Sequence, residues 1–247
     1  MSKRRKKRDP HLLLRWTVAL LLAGLTVWLL VRCLAPAPQP TGEAVPGIDV
    51  SSHQGHIRWQ EVADSGIRFA MIRLGYRGYD DGALHVDEKA RENLTAARAA
   101  GLKIGAYFFS QALTEAEARE EAALALQVLD GMALDLPLSY DWEHVSPDAR
   151  TGAMAPEALT ACVHAFCEDV AAAGYEPMIY FNHDLSQTLL DLDAVDRYPF
   201  WFARYAEEAD FHRPMRMWQW TDQGTVPGID EKTDLDWLWP WTPGGEI

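Results

Sequence analysis

The sequence predicts an α/β domain that follows one membrane-spanning helix. Short runs rich in β-branched and aromatic residues alternate with amphipathic helical patterns through most of the chain after residue 47. Such alternation favours a mostly parallel sheet, either open or closed into a barrel. The long helical patterns disappear after residue 199, so we expect the last strands to pair through hairpins. A barrel built in this way would be irregular rather than regularly eightfold.

The amino-terminal segment predicts a membrane anchor. Residues 1–11 form a basic tail with six Lys or Arg between positions 3 and 8, and residues 12–32 are almost entirely apolar. A helix of about 20 residues crosses a hydrocarbon core of roughly 30 Å. Because the cations precede this transmembrane helix, the positive-inside rule predicts a single-pass protein of the cell membrane with a cytoplasmic amino terminus and an extracytoplasmic domain. Cleavage of the same segment as a signal peptide is the alternative.

A proline-rich linker is predicted at residues 33–46, with prolines at positions 36, 38, 40 and 46. Such a segment favours the extended polyproline conformation. Residues 47–247 then provide about 200 residues, which suits one well-buried domain. Residues 35–247 hold 15 Lys or Arg and 35 Asp or Glu, a net charge of −20. A charge of this sign argues against nucleic acid as a partner.

The hydrophobic pattern predicts seven strands and four helices in this domain. The strands cover residues 47–50, 69–74, 103–109, 136–141, 178–181, 200–204 and 216–220. The helices cover residues 57–65, 87–100, 114–129 and 156–173, with glycines at stop positions after each of them. In folds of this class the functional groups gather at the carboxyl ends of the strands.

Two acids stand at the end of the fourth predicted strand. Asp141 and Glu143 are two residues apart, so on a strand they face the same side, while Trp142 faces the other. Two carboxyls held close together in a partly desolvated site cannot both ionise freely, so at least one pKa should rise. A carboxylic acid that keeps its proton near neutral pH is the group that glycoside cleavage requires.

Other candidates come from widely separated segments. Asp49 and Asp234 are expected near strand ends on the same side as the first pair. Aromatic and polar side chains accompany these acids, and sugar rings stack on aromatic faces. The predicted substrate-binding residues are Tyr107, Tyr180, Trp201, Arg204, Trp218 and Gln219.

Six motifs together resemble glycoside hydrolase family 25, the lysozyme-type N-acetylmuramidases. They are Gly47-Ile-Asp-Val-Ser-Ser-His-Gln54, Tyr140-Asp-Trp-Glu143, Phe202-Ala-Arg-Tyr205, Trp218-Gln-Trp220, Val226-Pro-Gly-Ile229 and Asp234-Leu-Asp236. The resemblance covers residues 47–237 in this order. It implies an irregular β/α (TIM-like) barrel that cleaves the β-1,4 bond between N-acetylmuramic acid and N-acetylglucosamine in the glycan strands of peptidoglycan, without a metal or organic cofactor.

The resemblance also implies roles for the four acids. Glu143 matches the general acid of the family, and Asp141, Asp49 and Asp234 match the acidic groups around the scissile bond. The family often has Asp-Leu-Asn where this chain has Asp234-Leu-Asp236, and the first position is the one usually assigned to the site, which favours Asp234 over Asp236. Either a carboxylate attacks directly and forms a glycosyl-enzyme, or the substrate's 2-acetamido oxygen attacks while Asp141 orients it. We favour the second route.

Two other classes of function also fit the residues. A metal-dependent hydrolase or deacetylase could use the four acids together with His53, because carboxylates and imidazole bind divalent ions. A tethered wall-binding module with an inactive site is the other alternative. The presence of all four acids argues against it, because binding alone does not need them.

Overall fold

A computed structural model describes residues 43–239 of the chain. The predicted basic tail, the transmembrane helix and most of the linker lie outside the described residues, so the anchor stays a prediction. Between residues 43 and 239, no helix is both long enough and apolar enough to cross a bilayer.

Within residues 43–239, nine strands form one sheet that closes on itself. They are β1 (Val45–Val50), β2 (Phe69–Arg77), β3 (Leu84–Val86), β4 (Lys103–Ser110), β5 (Leu138–Trp142), β6 (Pro177–Asn182), β7 (Phe200–Ala203), β8 (Met217–Gly224) and β9 (Thr233–Leu238). The sheet order is β1-β9-β8-β7-β6-β5-β4-β2-β3, and β1 also pairs with β2. Eight strands therefore close a barrel, and β3 extends β2 as a hairpin outside it.

The barrel is parallel except at its closure. The pairs from β1 through β2, β4, β5, β6 and β7 to β8 are parallel, whereas β9 is antiparallel to both β8 and β1. The expected irregular barrel and the antiparallel pairing of the last strands are thus confirmed. The sequence pattern predicted neither β3 nor β9 as a strand.

Helices follow most of the early strands. They are α1 (Trp59–Asp64), α2 (Ala90–Ala99), α3 (Glu115–Leu129), α4 (Pro156–Ala172) and the short α5 (His183–Thr188), which was not predicted. Thr114 caps α3, and its hydroxyl accepts from the Glu117 amide. The Thr114-x-x-Glu117 spacing resembles a capping box, but the Glu117 carboxylate accepts from the Leu113 amide at 2.8 Å rather than from the Thr114 amide. Gly101 and Gly174 follow their helices at φ 86° and 88°, a conformation that glycine adopts without a steric penalty.

The core has two layers. The barrel interior contains Phe69, Met71, Met178, Trp201, Met217 and their neighbours, while a larger layer packs between the barrel and its helices. Trp142 belongs to the outer layer and is only 1% exposed. Its neighbour Asp141 faces the other side of β5, as the strand alternation predicts.

Candidate active site

Four predicted acids line one cavity at the mouth of the barrel. The cavity has a volume of about 220 Å³, and Asp49, Asp141, Glu143 and Asp234 all contribute to its wall. Asp49 and Asp141 lie near the carboxyl ends of β1 and β5, and Glu143 is the first residue after β5. The barrel therefore brings together acids that are up to 185 positions apart in the sequence.

The placement of Asp234 differs from the expectation. It lies at the amino end of β9, not at the carboxyl end of a strand, and it is directly opposite Asp49 in the antiparallel pair. Because β9 runs against its neighbours, its amino end reaches the rim at which the parallel strands have their carboxyl ends. The same reversal places Asp236 deeper, opposite Gly47.

Asp234 and Asp236 have different surroundings. Asp236 is 1% exposed, and its Oδ1 accepts a hydrogen bond of 2.8 Å from the Trp201 indole N–H. Asp234 is half-buried and lines the cavity. The first aspartate of the motif is thus the one that a ligand in the cavity can reach, and the second holds a core tryptophan.

The predicted substrate-binding residues divide into three groups. Tyr107, Tyr180, Trp201 and Gln219 line the cavity. Arg204 lines a neighbouring cavity of about 400 Å³, which shares Glu143, Tyr180 and Tyr205 with the first. Trp218 lines neither, because it follows Met217 and precedes Gln219 on β8 and so faces outward, where its indole donates to the Arg204 carbonyl at 2.9 Å.

Gln219 organises the wall opposite the acid pair. Its amide nitrogen donates to Asp49 Oδ2 at 2.8 Å. Its amide oxygen accepts from the Tyr180 hydroxyl at 3.0 Å and from the Tyr205 hydroxyl at 3.1 Å. Because both tyrosines donate to this oxygen, their rings are held at the border between the two cavities.

Arg73 is the one Arg or Lys among the described side chains of the first cavity. Its Nε donates to Asp87 Oδ2 at 2.9 Å, and a terminal nitrogen donates to the Ser52 hydroxyl at 3.3 Å. Asp87 also accepts from the Ser52 amide at 3.0 Å. Arg73 is therefore held by Asp87, a carboxylate outside the acid cluster. It acts on the acids of the cavity only through its positive charge, without a hydrogen bond to them.

Burial and mutual repulsion change the pKa values of the acids. Burial, with a further contribution from Asp234, raises the pKa of Glu143 to about 7, while the Tyr180 hydroxyl opposes the rise. Burial and the charge of Glu143 raise the pKa of Asp141 well above its usual value, against a smaller opposing effect of Arg73. The expected rise within this pair is thus present, and its largest cause is desolvation.

Burial also raises the pKa values of Asp49 and Asp234, on the other side of the cavity. Burial, together with Asp234 and Asp236, raises the pKa of Asp49 well above its usual value. The pKa of Asp234 rises to about 6, chiefly through burial. At neutral pH the site therefore holds fewer charges than its number of carboxyl groups, and the protons it retains are available for transfer.

The short turn after β1 also belongs to the site, although it was not predicted to. Ser51 and Gln54 line the cavity and form a capping box around the 3-10 turn Ser52–Gln54, in which the Gln54 side chain accepts from the Ser51 amide at 2.8 Å. Both residues belong to the first quoted motif, which was the available signal. Within residues 43–239, no group of three or more His, Cys, Asp or Glu side chains is arranged to hold a metal ion.

Comparison with known families identifies this architecture. The model of glycosyl hydrolases family 25 matches residues 48–229, which is most of the described domain. The chain belongs to this family. As a family 25 member it is a glycoside hydrolase, and the motif resemblance is confirmed at that level.

Several known proteins are similar to this chain over most of the domain. The uncharacterized protein YegX of Escherichia coli is 32% identical over 206 residues, covering 80% of this chain and 70% of that protein. The autolytic lysozyme of Clostridium acetobutylicum is 26% identical, covering 77% of this chain and 54% of the lysozyme. The modular autolysin LytC from Streptococcus pneumoniae, solved in complex with a synthetic peptidoglycan ligand, has a TM-score of 0.71 at 24% identity, covering 81% of this chain and 48% of LytC.

Proposed function

We propose that the domain is a peptidoglycan muramidase that hydrolyses the β-1,4 bond between N-acetylmuramic acid and N-acetylglucosamine. The observation that carries the proposal is the Asp141–Glu143 pair, in which burial raises both pKa values at the mouth of a family 25 barrel. The names of two relatives, an autolytic lysozyme and an autolysin solved with a peptidoglycan ligand, favour the same substrate.

Glu143 is proposed as the general acid. It is half-buried and belongs to both cavities, so a glycosidic oxygen at their junction would lie beside its carboxyl group. A pKa of about 7 keeps this carboxyl protonated at slightly acidic pH. After it has donated its proton, the Glu143 carboxylate is basic enough to accept one again. Proton transfer to the leaving oxygen generates the new sugar hydroxyl and an oxocarbenium-like centre on the other sugar.

Asp141 is proposed to assist at that centre. Its Oδ1 is buried and has no hydrogen-bond partner among the described residues, so it can accept a hydrogen bond from an acetamido N–H. Such a bond would orient the 2-acetamido oxygen for attack on the anomeric carbon. Water would then open the resulting oxazolinium intermediate and return its proton to Glu143. A carboxylate nucleophile is the alternative route, and trapping of a glycosyl-enzyme would establish it.

The remaining groups would position the sugar. Tyr107, Tyr180 and Trp201 surround the cavity floor, and Trp201 contacts both tyrosine rings edge-on. Trp201 is only 1% exposed, so it shapes the floor more than it offers a face for stacking. Tyr205 is 54% exposed and offers the more accessible ring at the border of the two cavities.

We further propose that the predicted transmembrane helix at residues 12–32 holds this domain outside the cell membrane, next to the wall. The basic tail and the apolar run support this topology. Fractionation of cells that produce the full chain, with protease treatment of intact spheroplasts, tests it. Recovery of the domain in the medium would instead indicate cleavage.

The test of the activity is an analysis of the reducing ends that the protein releases. The purified protein is incubated with peptidoglycan, the products are reduced with borohydride, and the fragments are measured by mass spectrometry. Reduced muramic acid ends are expected from wild type and not from Glu143→Gln. Reduced glucosamine ends or deacetylated glycans would contradict the proposal, and binding without turnover by wild type would indicate an inactive wall-binding module.

A further inference from the structure

Glu143 lies beyond the last ladder pair of its strand on both sides. The β4–β5 pairing ends at Ser110 and Trp142, and the β5–β6 pairing ends at Asp141 and Tyr180. The next two amides beyond β4 turn away from β5. The Gln111 amide donates to Glu121 Oε1 at 3.4 Å, and the Ala112 amide donates to the Ser110 hydroxyl at 3.2 Å. The backbone that carries the proposed general acid is therefore not held by regular sheet hydrogen bonds.

The side chain of Gln111 takes the place of the missing pair. Its amide nitrogen donates to the Glu143 carbonyl at 2.9 Å and to the Ser110 carbonyl at 2.8 Å, which joins the ends of β5 and β4. Gln111 is 0% exposed. Because it is buried, the hydrogen bond from this amide can hold the peptide group after Glu143 in place of a backbone hydrogen bond between strands.

The orientation of this amide is itself fixed. The Thr151 hydroxyl donates to Gln111 Oε1 at 2.7 Å, and Thr151 is only 1% exposed. Rotation of the amide by half a turn would place its oxygen against two carbonyl oxygens, so only one orientation satisfies all three bonds. Arg150, which is paired with Glu117, donates to the backbone carbonyl of Gln111 at 2.8 Å.

We propose that Gln111 is a positioning residue for the general acid Glu143, acting through the Glu143 backbone and held in place by Thr151. The inference rests on the proposed function of Glu143. Neither residue lines the cavity that holds the acids, so neither touches substrate there. Because displacement of a catalytic group by about 1 Å can reduce the rate on the order of 100-fold, the anchor of this carboxyl matters for the rate.

The test uses Gln111→Met, which keeps the length of the side chain and removes its hydrogen bonds. We expect kcat to fall by about 10- to 100-fold with KM within about twofold of wild type. The basic limb of the kcat/KM profile should move to lower pH, because a less constrained Glu143 turns toward solvent and loses part of its burial. The groups that act on the pKa of this carboxyl, Asp234 and Tyr180, are unchanged in the variant.

Tyr140→Phe is the matched control. Its hydroxyl accepts from the Ser110 hydroxyl at 2.8 Å in the same buried region, and among the described residues it forms no hydrogen bond with Glu143. The control should lose thermal stability while kcat and the basic limb stay as in wild type. If Gln111→Met also loses stability only, with kcat within twofold of wild type, Gln111 is a structural residue and the proposal is wrong.

A second pair keeps the test decisive if Gln111→Met fails to fold. Thr151→Val removes the hydroxyl that orients the amide, and Thr151→Ser retains it. We expect a several-fold loss of kcat in the valine variant and near wild-type kcat in the serine variant. Equal kcat values in the two variants would contradict the proposal.

A carbon-13 NMR titration separates this inference from the proposed activity. The Glu143 carboxyl signal, assigned by its loss in Glu143→Gln, should titrate at lower pH in Gln111→Met or Thr151→Val than in wild type, whatever bond the enzyme cleaves. An unchanged titration midpoint in the folded variants would overturn the positioning role. Failure of wild type to release muramic acid ends would overturn the proposed function alone.

Discussion

Acids are buried both inside the barrel mouth and outside the barrel wall, and the two places differ in the partners of their acids. The mouth carboxyls are Asp49, Asp141, Glu143 and Asp234, and the main neighbours that raise their pKa values are other carboxyls. Outside the barrel, on α3, Glu121 is 0% exposed, and Arg77 of β2 donates to it at 2.8 Å. Burial raises the pKa of Glu121 to about 7, but here Arg77 and Ser110 oppose the rise.

The difference shows what each group is suited to do. An arginine beside a buried carboxylate fixes its charge and its geometry, which suits a structural connection among β2, α3 and the segment after β4. Carboxyls grouped without a paired cation hold protons that substrate can receive. The mouth is therefore arranged for chemistry at some expense of stability, and the Glu121 group is arranged to hold its surroundings in place.

The largest expected effect is the loss of turnover in Glu143→Gln. Glutamine keeps the shape of the side chain and cannot donate a proton as an acid, so kcat should fall by about 1,000-fold or more. Release of soluble muropeptides from purified peptidoglycan measures it. The exposed Glu157→Gln on α4 is the control and should equal wild type. Turnover by Glu143→Gln within tenfold of wild type would show that the acid is another group.

Breaking the ion pair between Arg77 and Glu121 should lower the stability of the fold. Arg77→Met leaves Glu121 buried without its cation, so the free energy of unfolding should fall by about 3–5 kcal/mol at pH 8. Urea denaturation followed by circular dichroism measures the loss. The loss should be smaller at pH 5, where the Glu121 carboxyl, with a folded pKa of about 7, is protonated. The exposed pair Arg58–Asp230 gives the comparison, because Arg58→Met should lower the free energy of unfolding much less than Arg77→Met does.

The mouth should respond in the opposite direction. The folded pKa of Glu143 is about 7 and its usual value is 4.5, so its contribution to stability is present below pH 4.5 and is lost as the pH rises through 7. Above that pH the folded protein must bury the charge. Glu143→Gln removes this requirement and should raise the melting temperature by several degrees at pH 8, with little change at pH 5. A lower melting temperature of Glu143→Gln at pH 8 would contradict this account, because it would mean that the charged Glu143 has a stabilising partner, as Glu121 has in Arg77.

The sequence predicted the regular part of this molecule better than its closure. Alternating apolar runs and helix stops identified the parallel strands and the acids at their ends, because local periodicity determines both. Residues 233–238, Thr-Asp-Leu-Asp-Trp-Leu, alternate acidic with apolar side chains inside a barrel, which is not the usual pattern of a core strand. The interior position of Asp236 depends on Trp201, which is 35 positions away, and no local pattern contains that information.

Two further features needed the three-dimensional structure. Trp218 and Gln219 were both predicted to bind substrate, yet adjacent residues on a strand face opposite sides and only Gln219 lines the cavity. Gln111 belongs to none of the six motifs, and its importance arises from contacts with residues 32 and 40 positions away. Long-range hydrogen bonds of this kind leave no periodic signal in one sequence.

The pH dependence of kcat/KM on soluble glycan strands tests the central claim most directly, with wild type and Asp234→Asn measured side by side. If Glu143 must be protonated to act, wild type should lose activity through an apparent pKa near 7. Asp234→Asn removes a charge that raises the pKa of Glu143, so its basic limb should lie at lower pH. Full wild-type activity up to pH 9, or a basic limb that Asp234→Asn leaves in place, would contradict the account.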